Sequence, residues 1–95
     1  VINAIAHHYQ LTLEELESSS RSRRIARPRQ VAMYLIREET ELSLAKIGEL
    51  FGGRDHSTVL YAHERVTDLA EEDETFRRQL LALREQLRQR KRVPA

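Results

Sequence analysis

Two adjacent glycines, Gly52 and Gly53, interrupt a run of helix-forming residues, and no other feature restricts the fold of this chain so tightly. With Gly48 they are the only glycines in 95 residues, so the backbone freedom a sharp turn requires is gathered in one place. Before them, Leu44, Ile47, Leu50 and Phe51 recur at helical spacing, with Ser43 placed to cap that short helix. After them, Val59, Ala62, Val66, Leu69 and Ala70 recur at three- and four-residue steps. Asp55 is placed to cap this second helix by accepting backbone N–H bonds. A short helix, a glycine turn and a longer helix make a helix–turn–helix over about 43–70. Gly48 inside the first helix costs on the order of 1 kcal/mol against alanine, which a close helix–helix contact would explain.

The second helix has a polar side opposite its apolar stripe, carrying Ser57, Tyr61, Glu64, Arg65 and Asp68, with Arg54, Asp55 and His56 crowded at its tip. Hydrogen-bonding side chains at the N-terminal end of the second helix are what a major-groove reader requires, because that end meets the base edges. Asp55 can accept from cytosine N4, or hold Arg54 or a backbone N–H.

The remaining segments fit an all-α fold, a small domain of about five to six helices. Glu, Arg, Leu and Ala abound while aromatic residues are 5% of the chain, a vocabulary for helices rather than strands. The length supports one domain, 1–95, around one core. Ile2, Ile5, Ala6 and Tyr9 mark a first helix from Val1 to about Gln10, and its abrupt start suggests a domain taken from a longer protein. Thr12-Leu13-Glu14-Glu15 reads as a capping box opening a short helix through Leu16 or Glu17. Pro28 suits the first position of a third helix with Val31, Ala32, Leu35 and Ile36 on its core face. Phe76, Leu80, Leu83 and Leu87 mark a last amphipathic helix over about 74–91. Asp73 either caps it or lies within an extended second helix, and Val93–Ala95 is a frayed tail.

Net charge is only +1, so total charge says little about partners. Its distribution says more. Arg21, Arg23, Arg24, Arg27, Arg29 and Arg37 fall between Ser18 and Arg37 with no acid among them, a local positive field. The stretch 18–27 reads as a basic loop able to follow phosphates or insert an arginine into the minor groove. Absence of cysteine excludes disulfides and thiolate metal sites, and no apolar run approaches membrane-spanning length. A cytoplasmic protein is expected. His7 and His8 diverge on a helix, a poor geometry for a joint metal site, so no metal is expected. Catalytic patterns are incomplete: His63-Glu64-Arg65-Val66-Thr67 lacks the second histidine of a zinc-protease helix, and the glycine turn lacks a phosphate-loop lysine. No enzymatic activity and no catalytic residue are expected.

The stretch Phe51-Gly52-Gly53-Arg54-Asp55-His56-Ser57-Thr58-Val59-Leu60-Tyr61-Ala62, with Ala26-Arg27-Pro28-Arg29-Gln30-Val31-Ala32 and Leu42-Ser43-Leu44-Ala45-Lys46-Ile47-Gly48 before it, closely resembles the C-terminal DNA-binding domain of the bacterial DnaA replication initiators. The resemblance covers about Ile2 to Val66. It implies binding of duplex DNA at the DnaA boxes of a replication origin, one monomeric domain per asymmetric box. Position by position, it implies base contacts from Arg21 in the minor groove and from Asp55, His56 and Ser57 in the major groove, with Arg54 on a base or a phosphate. It implies phosphate contacts from Arg23, Arg29, Gln30, Arg37, Ser43, Leu44, Thr58 and Tyr61. No cofactor is implied for these residues; ATP would belong to an upstream domain, and other initiator domains and subunits would be partners. Ser57, Tyr61 and Ala45 depart from the family's common threonine, histidine and proline, which bears on fine sequence preference. Two other readings are a helix–turn–helix transcriptional regulator, which would dimerise on a palindrome, and a helical interaction module whose arginines meet an acidic partner.

Overall fold

A computed structural model describes residues 2–91, and the expected tail Val93–Ala95 lies outside them. Six helices follow one another: α1 (Ile2–His8), α2 (Leu13–Glu17), α3 (Arg23–Glu39), α4 (Leu44–Leu50), α5 (His56–Glu72) and α6 (Glu74–Lys91). No strand occurs among the described residues.

Local chemistry explains most boundaries. α1 stops earlier than its apolar spacing suggests because Gln10 adopts φ 57°. The Leu11 amide then reaches the Ala6 carbonyl (2.8 Å) and the Gln10 amide the His7 carbonyl (3.1 Å), a Schellman ending. α2 opens on the expected reciprocal box: the Glu15 amide donates to Thr12 Oγ1 and the Thr12 amide to Glu15 Oε1, each at 3.0 Å. Ser43 Oγ accepts from the Lys46 amide at the start of α4 (3.1 Å), as expected. Asp73 separates α5 from α6 and caps the latter through Oδ1 and the Phe76 amide (3.1 Å).

The start of α3 differs from the sequence expectation. The loop ends at Ser22, and Arg23–Arg27 is already helical, which places Pro28 inside the helix rather than at its first position. Amides of Ile25 and Ala26 close onto the Ser22 carbonyl at 2.9 and 2.7 Å. Burial drives this turn: Ile25 packs on a small cluster of Ala6, Leu11 and Leu16 from α1, its C-terminal cap and α2. That contact offsets the one ladder bond a proline removes.

The main core gathers Ile5, Val31, Leu35, Ile47, Phe51, Val59 and Val66 beneath Leu80, Leu83 and Leu87 of α6. α3 and α5 share the most extensive packing, so the arginine-bearing third helix is seated directly against the second helix of the helix–turn–helix. Val59, Ala62 and Val66 are buried as expected, but Leu50 is 43% exposed, while the adjacent Phe51 is fully buried. Gly52 and Gly53 take φ 80° and 79°, where side chains are disfavoured. Gly48 meets the turn rather than a helix: a Cβ there would stand 2.0 Å from the Arg54 carbonyl oxygen.

Candidate nucleic-acid interface

Three consecutive polar side chains, all exposed, make the tip of α5. Asp55 holds the cap position, yet its carboxylate forms no capping bond, which corrects the expected role. It accepts the Ser57 hydroxyl at 2.7 Å and lies 3.0 Å from His56 Nδ1. The Ser57 hydrogen bond foremost, with His56 beside it, holds the Asp55 carboxyl below its ordinary range. The Thr58 amide donates to the Asp55 carbonyl at 3.0 Å, and the exposed tip stands at the positive end of the helix dipole. Thr58 is exposed beside them, and Tyr61, one turn on, is 60% exposed.

The arm between α2 and α3 is pinned by two arginines that sequence alone assigns to DNA. Arg29 Nε donates to the Leu16 carbonyl and Nη2 to the Ser20 carbonyl, both at 2.9 Å. Arg54 donates to the Glu17 carbonyl at 3.1 Å, and also to the carbonyls of Ser18 and Phe51. These acceptors are the unpaired carbonyls at the end of α2 and of the glycine turn, where cations are favoured. Burial, and then Arg54 nearby, lower the proton affinity of the Arg29 guanidinium. Arg29 and Arg54 therefore brace the arm against the turn. Inside the arm, the Ser20 amide reaches Ser18 Oγ (3.3 Å) and the Ser22 amide reaches Ser20 Oγ (3.2 Å), so its serines shape the backbone.

Other predicted contacts separate into two sets. Arg37 is exposed but donates to the Leu42 carbonyl at 3.1 Å, bridging α3 to the approach of α4. Ser43 is exposed with its oxygen used as a cap, and Leu44 is half-buried against the core. Arg21, Arg23 and Gln30, by contrast, line one cleft together with Ala26, Arg27 and Arg65. Arg27 and Arg65 are absent from the residues sequence reasoning assigns to DNA. A signal for Arg65 exists, since it continues the Ser57–Tyr61 row by one more turn; nothing in the sequence distinguishes Arg27 from Arg24, whose Nη1 pairs with Glu15 Oε2 at 3.0 Å.

Acidic side chains gather elsewhere. Glu38 and Glu39 at the end of α3 face Arg84, Arg88 and His63, with Arg84 Nε 2.5 Å and Arg88 Nε 3.1 Å from Glu39 Oε1. Among the described residues no group of three or more His, Asp or Glu side chains could hold a metal ion, and no helix is long and apolar enough to cross a membrane.

Residues 1–66 match the family model described as bacterial dnaA protein helix-turn-helix. Proteins named chromosomal replication initiator protein DnaA are similar over most of the chain. That of Thermus thermophilus is 52% identical over 90% of this chain and 20% of its own length. That of Clavibacter sepedonicus is 47% identical over 97% and 19%, and that of Chloroflexus aurantiacus 45% identical over 92% and 18%. The chain thus spans about a fifth of the length of these relatives.

Proposed function

The chain belongs to the bacterial DnaA helix-turn-helix family, and on that premise we propose that it binds double-stranded DNA sequence-specifically at the DnaA boxes of a replication origin, as one monomeric domain per box. The observation that carries this reading is the combination of an exposed polar helix tip, at His56, Ser57 and Thr58, with a cleft of unpaired arginines where the arm and the start of α3 meet the middle of the same helix. The tip of α5 enters the major groove, and the arm carries Arg21 into the neighbouring minor groove.

Chemistry at the tip suits base reading. Because the Ser57 hydroxyl donates to Asp55, its oxygen is left as an acceptor for an exocyclic amino group of adenine or cytosine. Asp55 holds Nδ1 of His56, which turns Nε2 toward the base edges. Thr58 and Tyr61 meet phosphates on the groove wall. Arg29 and Arg54 act indirectly, by holding the arm at a set position relative to the turn. ATP binding and duplex opening belong to parts of a longer initiator outside this segment, and the domain itself is not catalytic.

Fluorescence anisotropy tests the reading with purified domain, a labelled DnaA-box duplex and a shuffled duplex of equal composition at one moderate salt concentration. Tight one-to-one binding to the box, with much weaker binding to the shuffled duplex, is expected. Equal affinity for both duplexes would refute it, and two protomers per asymmetric box would favour a dimeric regulator.

A further inference from the structure

The arginines of this domain divide into those with partners and those without. Arg24, Arg29, Arg37, Arg54, Arg77, Arg78, Arg84 and Arg88 each hold a carboxylate or a backbone carbonyl. Arg21, Arg23, Arg27 and Arg65 have no ion-pair or hydrogen-bond partner among the described residues, and all four line one cleft of about 190 Å³ with Gln30. The cleft lies where the arm and the start of α3 meet the middle of α5.

Arg27 shows the cost of this arrangement. Its Nε is enclosed by protein and has no acceptor. Burial first, then repulsion from Arg65 and Arg23, lowers its proton affinity. Like charges crowded beside a half-buried guanidinium are unfavourable, and a phosphate held at the accessible ends of the guanidinium groups in the cleft would offset that charge, while the enclosed Nε itself stays out of its reach. Guanidinium groups are suited to it because their fork takes two phosphate oxygens at once.

The duplex supplies such a phosphate at the right place. In the proposed complex the arm lies in the minor groove and α5 in the adjacent major groove, and one sugar-phosphate backbone always separates two neighbouring grooves. That backbone must cross the junction of arm and α5. Arg65 stands eight residues beyond Ser57, about 12 Å along the helix axis. The major groove is itself about 12 Å wide and about 8.5 Å deep, so with Ser57 at the base edges Arg65 is level with the groove wall.

We propose that Arg27 and Arg65 form a two-arginine clamp on a single backbone phosphate, the one between the minor groove entered by the arm and the major groove entered by α5. This inference rests on the DNA-binding reading above. The clamp reads no base; it fixes the register of the two reading elements on the duplex.

The test is the salt dependence of box binding for wild type, Arg27→Gln, Arg65→Gln and the double variant, with thermal melts confirming folding. Each single substitution should weaken box and shuffled duplexes alike and lower the slope of log K against log salt by less than about 0.9, because the other arginine still holds the phosphate. The double variant should lose about 0.9 in all, because only one phosphate is released. A double variant that loses about 1.8 in slope places the two arginines on different phosphates and overturns the clamp. Unchanged slopes overturn it as well. If Arg27→Gln loses its cooperative melt, Arg65→Gln is compared with wild type on box duplexes carrying one neutral methylphosphonate at successive positions. One position should abolish the difference between the two proteins, and the clamp is wrong if none does. Wild-type preference for the box over the shuffled duplex reports on the proposed function separately: its loss with intact slope changes rejects box recognition, and its retention without slope changes rejects only the clamp.

Discussion

Gly48→Ala sets two physical effects against each other. In an exposed helix the substitution stabilises by about 1 kcal/mol. Here the added methyl would lie 2.0 Å from the Arg54 carbonyl oxygen and 3.0 Å from its carbon, both backbone atoms that no rotamer change can move aside. Relief needs a separation of at least about 1 Å between α4 and the turn. That strains the bond from the Arg54 amide to the Gly48 carbonyl, now 2.9 Å. Losing a buried backbone bond costs about 1–3 kcal/mol and overpacking about 1–3 kcal/mol. Set against the propensity gain, the net destabilisation is about 1–5 kcal/mol, a fall in Tm of at least about 4 °C for a domain this size. The shift also displaces Arg54 from the arm carbonyls, so box affinity should fall even where the protein stays folded. Thermal melts and anisotropy on the same preparation measure both. A Tm equal to or above wild type with unchanged box affinity would show that the turn yields freely and that Gly48 is there for no steric reason.

Three further outcomes follow from the structure. Glu39 is pushed up by burial, but the hydrogen bonds and charges of Arg84 and Arg88 outweigh that and leave its pKa below the ordinary value; its stabilisation is therefore complete above about pH 5 and lost as pH falls through the depressed value. Glu39→Gln should cost about 1–3 kcal/mol in urea melts near pH 7, with the difference from wild type disappearing in acid, and a pH-independent difference would contradict the ion-pair account. Arg21→Ala and His56→Ala should each weaken the box duplex more than the shuffled one, whereas Arg37→Ala should weaken both equally and reduce the salt slope by about 0.9; the reverse pattern would exchange base and phosphate roles. Val59→Asp puts a carboxylate where the side chain is 0% exposed, and circular dichroism should show no cooperative melt, so a native transition would mean the buried face of α5 is misassigned.

Helices were legible where side chains act on their own backbone. Thr12 with Glu15, Ser43, and the glycine pair announce their boundaries because capping and positive φ depend on residues a few positions apart. The apolar stripe of α5 was equally plain, since its period is that of the helix. The start of α3 was not, because the tendency of Pro28 to open a helix is local while the burial of Ile25 against Leu11 and Leu16 is tertiary. Asp55 misled for a related reason: an aspartate before a helix predicts a cap, but a hydroxyl two residues on and a neighbouring imidazole compete for the same carboxylate. At the interface, the identity of the tip residues could be read directly. The division of labour among the arginines could not, because it is decided by carbonyls and carboxylates distant in sequence, such as Glu17 and Ser18 for Arg54.

That division has a consequence for recognition. An arm of polar and charged residues has little apolar burial of its own, and left free it would lose backbone freedom on entering a groove, about 1–2 kcal/mol per residue fixed. Here Arg29 and Arg54 fix the arm at the carbonyls of Leu16, Glu17, Ser18 and Ser20 through contacts of the folded domain itself. Arg54 also belongs to the turn that opens α5, so one guanidinium joins the arm to the tip of α5. If the arm enters a groove as proposed, its ordering cost is met in folding, and binding would retain more of its contact energy as affinity. The substitution Arg54→Ala therefore removes more than a charge. It frees the arm from the turn, and its effect should exceed that of losing one phosphate contact while changing the salt slope less.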